Sequence, residues 1–182
     1  GTGIYRITIG RIETQLLNAE HLAGVRQLAR TSGPALGPFE AYMTMRGIKT
    51  FPLRMERQCR NAAKIAACLR THQAVERVYY LDDPAHPDRE TIDGLFTDDL
   101  FGAMVSFEVK GLDKDGVFAF MDRLQLIVRA TSLGDVHTMM LHPWTASQRD
   151  VSPKHKERTG IRENLVRLSV GIEDPEDVIG DL

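Results

Sequence analysis

Two short stretches hold residues whose types and spacing could bind an anion. In residues 165–172, LVRLSVGI, the alternation of a strand puts Val166, Leu168, Val170 and Ile172 on one buried face. Arg167 then points the other way, beside only Ser169 and Gly171. A guanidinium offers planar paired donors that match a carboxylate or phosphate, and such a pair gains strength in a partly desolvated cleft. From the pattern alone two readings stay open, an anion clasp or an ordinary solvent-facing strand arginine. The second stretch is Thr131-Ser132-Leu133-Gly134-Asp135, a polar turn between two apolar segments. Such a turn can aim a hydroxyl and backbone N–H groups at an anion, or it can simply connect two strands.

Other chemistries find no support. His137 and His142 are five apart in a strand-like segment and face opposite sides, so with His155 they make a poor metal set. No serine lies in a G-x-S-x-G context. Cys59 and Cys68 both fall in a helical stretch and read as buried thiols in a reducing compartment. Gly1-x-Gly3 lacks the third glycine and the helix of a dinucleotide fingerprint.

The elements that must position these residues are well punctuated. A strand is expected over 4–9 and a helix over 18–29, stopped by Ser32-Gly33-Pro34. Gly37-Pro38 opens a short helix to Arg46, with Gly47 placed as its C-terminal cap. A long helix follows from Thr50 to Thr71, its stripe formed by Met55, Cys59, Ala62, Ala66 and Leu69. Strands are expected over 75–80, 103–109, 126–130 and 136–141, with a weak helix over 91–95. A helix over 114–124 turns Val117, Phe118, Met121 and Leu124 inward, and another runs from Ser152-Pro153 to Arg158. Asp174-Pro175-Glu176 caps a terminal helix. This order argues for an α+β fold, helices packing on one face of a largely antiparallel sheet.

The chain has 182 residues and a formal net charge of -2 at pH 7, with charges interspersed, which argues against nucleic acid or an anionic membrane as partner. No apolar run approaches the roughly 20 residues that span a bilayer, and no signal peptide is legible, so a cytoplasmic location is expected. The chain opens Gly-Thr-Gly without methionine, and a processed chain or fragment is expected.

Several segments together resemble the Cys/Met-metabolism family of pyridoxal-phosphate (PLP) enzymes, the cystathionine γ-synthases, cystathionine lyases and methionine γ-lyases. They are residues 32–69, SGPALGPFEAYMTMRGIKTFPLRMERQCRNAAKIAACL, then AVERVYY at 74–80, GAMVSFEVKG at 102–111, TSLGD at 131–135 and ENLVRLSVGIEDPEDVIGDL at 163–182. They follow the family's order and spacing. The resemblance implies the C-terminal domain of a fold-type I enzyme over 36–182, with 1–35 a remnant of the large PLP-binding domain or a linker. It also implies that Arg167 binds the α-carboxylate of an amino-acid substrate, aided by Ser132 and the backbone of Leu133. His137 stands where many members carry glutamate, near the substrate side chain, and would bear on specificity. Gln148 replaces a common histidine and Trp144 a small residue.

The family's Schiff-base lysine lies in an S-x-T-K type motif that this sequence does not contain. Lys49, Lys64, Lys110, Lys114, Lys154 and Lys156 match positions outside the cofactor site or lie in polar surface contexts. The expectation is therefore a catalytically silent piece of an enzyme that eliminates or replaces at sulfur in cysteine- or homoserine-derived amino acids. The parent would be a homotetramer holding PLP, or a companion chain would bring the lysine half, with PLP not bound by this chain alone. The alternative is a stand-alone, non-catalytic domain for carboxylate binding or assembly.

Overall fold

The computed structural model describes residues 19–33, 36–96 and 98–182. The strand expected over 4–9 and the Gly1-x-Gly3 step lie outside the described residues. The elements run α1 (Ala19–Ser32), α2 (Pro38–Ile48), α3 (Phe51–Thr71), β1 (Val75–Tyr79), α4 (Arg89–Leu95), β2 (Met104–Val109) and α5 (Lys114–Met121), followed by β3 (Val128–Arg129), β4 (Met139–Leu141), α6 (Pro153–Arg158), β5 (Leu165–Ser169) and α7 (Pro175–Asp181). The described residues within Gly1–Pro52 and Asp88–Asp98 form one compact unit, and Leu53–Pro87 with Asp99–Leu182 form a second.

In the first unit, α2 has Pro38 in its first turn, where a missing N–H costs nothing. The helix runs on through Gly47 to Ile48, and Gly47 does not take the left-handed conformation expected of a cap. Its close is made instead by the Lys49 N–H donating to the Arg46 carbonyl, so no glycine freedom is needed there. Phe39, Tyr42, Met43, Met45 and Ile48 are all exposed.

The second unit is a five-stranded sheet in the order β1-β2-β5-β4-β3. Every pairing is antiparallel except β3 with β4. Along α3, Cys59, Ala62, Ala66 and Leu69 are buried as expected and Ile65 joins them, whereas Met55 at the start of the stripe is only half-buried. Ala62, Ile65, Ala66 and Leu69, with Val117 and Met121 of α5 and Val178 of α7, share one core with Val105, Phe107, Val166, Leu168 and Val170 of the sheet side. A fully buried side chain such as Ile65 contributes about 1.5–3 kcal/mol. The Asp113 carboxylate caps α5 by accepting from the Gly116 N–H at 2.9 Å, and Asp174 caps α7 by accepting from Glu176 N–H at 3.0 Å. Asp181 at the end of α7 accepts backbone N–H bonds from Gln125, Leu126 and Ile127, which fastens that helix to the segment entering β3.

Three further expectations need correction. Phe118 is 38% exposed rather than inward, its ring meeting the His142 edge at 5.2 Å. The arginine strand ends at Ser169 and Ile172 is half-exposed, because beyond Val170 the backbone turns to pair with Val136 through the Ile172 N–H. β3 and β4 are shorter than the strands expected over 126–130 and 136–141, and they lie parallel to each other. The glycine segment between them loops past the end of β5 and enters β4 antiparallel to β5.

Candidate anion-binding site

The sheet has two chemically distinct faces. The helix-covered face holds the aliphatic core, and the opposite face holds Arg167, flanked across the strands by Ser106 on β2 and Leu141 on β4. Arg167 sits on a central strand, so its backbone is fixed on both sides. Its guanidinium is half-buried, and its Nε is fully enclosed without a hydrogen-bond partner. Burial pulls its pKa below the usual arginine value, the signature of a charge that has lost water without gaining a counter-charge. A buried donor left unmade costs about 1–3 kcal/mol.

The turn at 131–135 is tied to this strand. Ser169, two residues from Arg167 on the same face and itself buried, accepts from the Gly134 N–H through Oγ at 3.0 Å. Gly134 has φ +80°, a conformation that glycine adopts at no steric cost. At the far end of the turn Gln58 of α3, 1% exposed, donates to the Asp135 carbonyl at 2.6 Å. Ser132 and Leu133 are thereby left exposed at the tip of an anchored loop.

A buried polar strut stands behind it. Thr138 donates to Glu173 from its N–H at 2.5 Å and its hydroxyl at 2.9 Å, while that hydroxyl accepts from Gly171 N–H at 2.9 Å. Asn61 of α3 donates to the carbonyls of Gly171 at 3.2 Å and Glu173 at 2.8 Å. A Cβ at Gly171 would overlap the Val136 carbonyl oxygen and the Glu173 carboxylate, so only glycine fits. Sequence reasoning missed Gln58, Asn61 and Glu173, and it named Ser169 only as a neighbour of Arg167. The one available signal was that polar residues at 58 and 61 interrupt the apolar stripe of α3.

The histidines go separate ways. His137 is exposed, next to the Gly171 backbone. His142 is buried, bonded to Thr145 Oγ1 at 2.9 Å and the Glu163 carbonyl at 2.7 Å. Burial lowers its pKa, the Glu163 carbonyl opposing, with Lys114 and Lys156 adding to the depression. His155 contacts Arg158 at 2.8 Å. No group of three or more metal-type side chains gathers among the described residues. Lys156 is buried, donates to the Trp144 carbonyl at 2.9 Å and lies 4.6 Å from the centre of the Trp144 ring. No helix among the described residues is long and apolar enough to cross a membrane.

The sequence model of the Cys/Met metabolism PLP-dependent enzymes matches residues 5–182. The chain belongs to that family. An L-methionine gamma-lyase of Fusobacterium nucleatum subsp. polymorphum is 44% identical over 151 residues, 83% of this chain and 38% of that protein. The crystal structure of a cystathionine gamma-lyase from Micromonospora echinospora superposes with TM-score 0.82 at 34% identity, over 91% of this chain and 42% of that one. An O-acetylhomoserine (thiol)-lyase from Campylobacter jejuni, solved with a pyridoxyl-lysine phosphate, gives TM-score 0.81 at 27% identity over 92% of this chain and 39% of that one. The fold is thus that of fold-type I PLP enzymes, α+β with a mostly antiparallel sheet. The chain spans about two-fifths of the length of these relatives.

Proposed function

We propose that this chain forms the substrate-carboxylate side of a PLP-dependent transsulfuration enzyme acting on cysteine- or homoserine-derived amino acids. Arg167 holds the α-carboxylate, the Ser132 hydroxyl and Leu133 backbone add to it, and His137 lies toward the substrate side chain. The observation that carries this reading is the enclosed, unpartnered Nε of Arg167 on a central strand, with the 131–135 turn pinned two residues away by Ser169. Pinning the carboxylate fixes the Cα of the substrate and which of its bonds faces the chemistry.

PLP supplies an electron sink when bound, and it needs a lysine as its covalent anchor. The lysines here do not fit that role. Lys156 is buried against Trp144, Lys114 pairs with Asp115 at 3.2 Å, and Lys49, Lys64, Lys110 and Lys154 are exposed. The anchor therefore belongs to protein outside these residues, in a larger domain of which 1–35 is a remnant or linker, and 36–182 acts as the C-terminal domain. The complete enzyme is a homo-oligomer, or a companion chain brings the lysine half. A second reading, a stand-alone carboxylate-binding or assembly domain, is favoured by one observation: Arg167, Ser169, Ser132 and Leu133 all belong to a single compact unit.

The test of the lysine assignment is to incubate the purified chain with PLP, reduce with borohydride and map lysines by mass spectrometry. Scattered, substoichiometric labelling is expected. A stoichiometric adduct on one lysine would overturn the assignment.

A further inference from the structure

On the face that carries Arg167, two cross-strand rows run side by side, Tyr79–Ser106–Arg167–Leu141 and Arg77–Glu108–Leu165. Glu108 is therefore the diagonal neighbour of Arg167 across one strand pair. Side chains in that relation stand about 7–8 Å apart at their bases, within reach for long residues. Glu108 is only 1% exposed, so its carboxylate must find donors inside the protein. A pair with Arg167 would satisfy both groups and would also occupy the site.

The structure makes a different choice. Glu108 Oε1 accepts from the Tyr79 hydroxyl at 2.6 Å, and Oε2 accepts from Arg162 Nη1 at 3.3 Å. The Arg77 guanidinium lies over the Tyr79 ring, 4.8 Å from its centre. Arg167 Nε is left without a partner. We infer that Tyr79 and Arg162 are positioning residues that keep the Glu108 carboxylate engaged and so prevent it from closing on Arg167. Glu108 is the built-in competitor for the anion site, and its two partners keep that site open. The use of this arrangement rests on the carboxylate-binding reading of Arg167, whereas the pairing itself can be measured without any ligand.

The experiment follows the arginine Nε–H resonances of the full chain by ¹⁵N–¹H NMR, with Arg167 assigned by its loss in Arg167→Lys. In the double variant Tyr79→Phe/Arg162→Gln the Arg167 signal should move downfield as Glu108 turns to it, and adding Glu108→Gln should return it to the wild-type position. An Arg167 signal unmoved in the double variant overturns the inference. Should the double variant fold poorly, Arg162→Gln alone, at a side chain 60% exposed, must still move the signal in the same direction. Acetate is the ligand probe: the double variant should lose about tenfold in affinity, the factor that 1.4 kcal/mol represents, and the triple variant should recover it. A wild-type signal that ignores acetate would contradict carboxylate binding alone, and the ligand-free shift would still decide the pairing.

Discussion

Replacing Arg167 with methionine should stabilise the protein while abolishing the anion binding proposed for it. Methionine keeps the unbranched stem that fills the space between Ser106 and Leu141 and removes the enclosed Nε that has no partner. The unmade hydrogen bond alone costs about 1–3 kcal/mol. Some of the guanidinium still reaches water, so a net gain of about 1–2 kcal/mol is expected. For a chain of this size that raises Tm by about 2–8 °C. The assay is urea unfolding followed by fluorescence of Trp144, the single tryptophan. Acetate should then raise the stability of the wild-type chain, by about 2.7 kcal/mol at one hundred times Kd, and leave Arg167→Met unchanged. A methionine variant at least 1 kcal/mol less stable than wild type would refute the reasoning, since it would mean that Arg167 is already satisfied.

Ser169→Ala removes the acceptor for Gly134 N–H and should cost about 1 kcal/mol in urea unfolding while weakening acetate binding several-fold through the loosened turn. Gly171→Ala forces a methyl into the Val136 carbonyl and the Glu173 carboxylate and should cost about 3 kcal/mol or more, seen as a large drop in urea midpoint. His142 is depressed by burial, so its contribution is complete above the unfolded value near pH 6.5 and is lost as pH falls toward the folded pKa. His142→Asn should therefore flatten the fall of Tm on that acid limb, measured by scanning calorimetry.

Local chemistry made the helices legible. Pro38 and Asp174 marked starts, and the stripe of α3 held from Cys59 to Leu69 because its period matches one buried side. Arg167 and the 131–135 turn were visible as oddities of composition. What joined them was not visible, because the Ser169–Gly134 and Gln58–Asp135 bonds link residues 35 and 77 positions apart. Their geometry depends on how the chain loops past β5, which no local pattern encodes. The same loop sets β3 parallel to β4, an orientation that two apolar runs around a glycine turn do not reveal. Glu108 was hidden for the opposite reason. Within MVSFEV it alternates as a solvent-facing residue would, yet it is buried by partners from β1 and from the segment before β5.

The central claim is that Arg167 holds an amino-acid carboxylate, and it is tested most directly by titrating L-methionine labelled with ¹³C at its carboxyl group into the chain. The account predicts a saturable shift of that carbon resonance with the wild-type protein and none with Arg167→Met. Equal shifts with both proteins would contradict it.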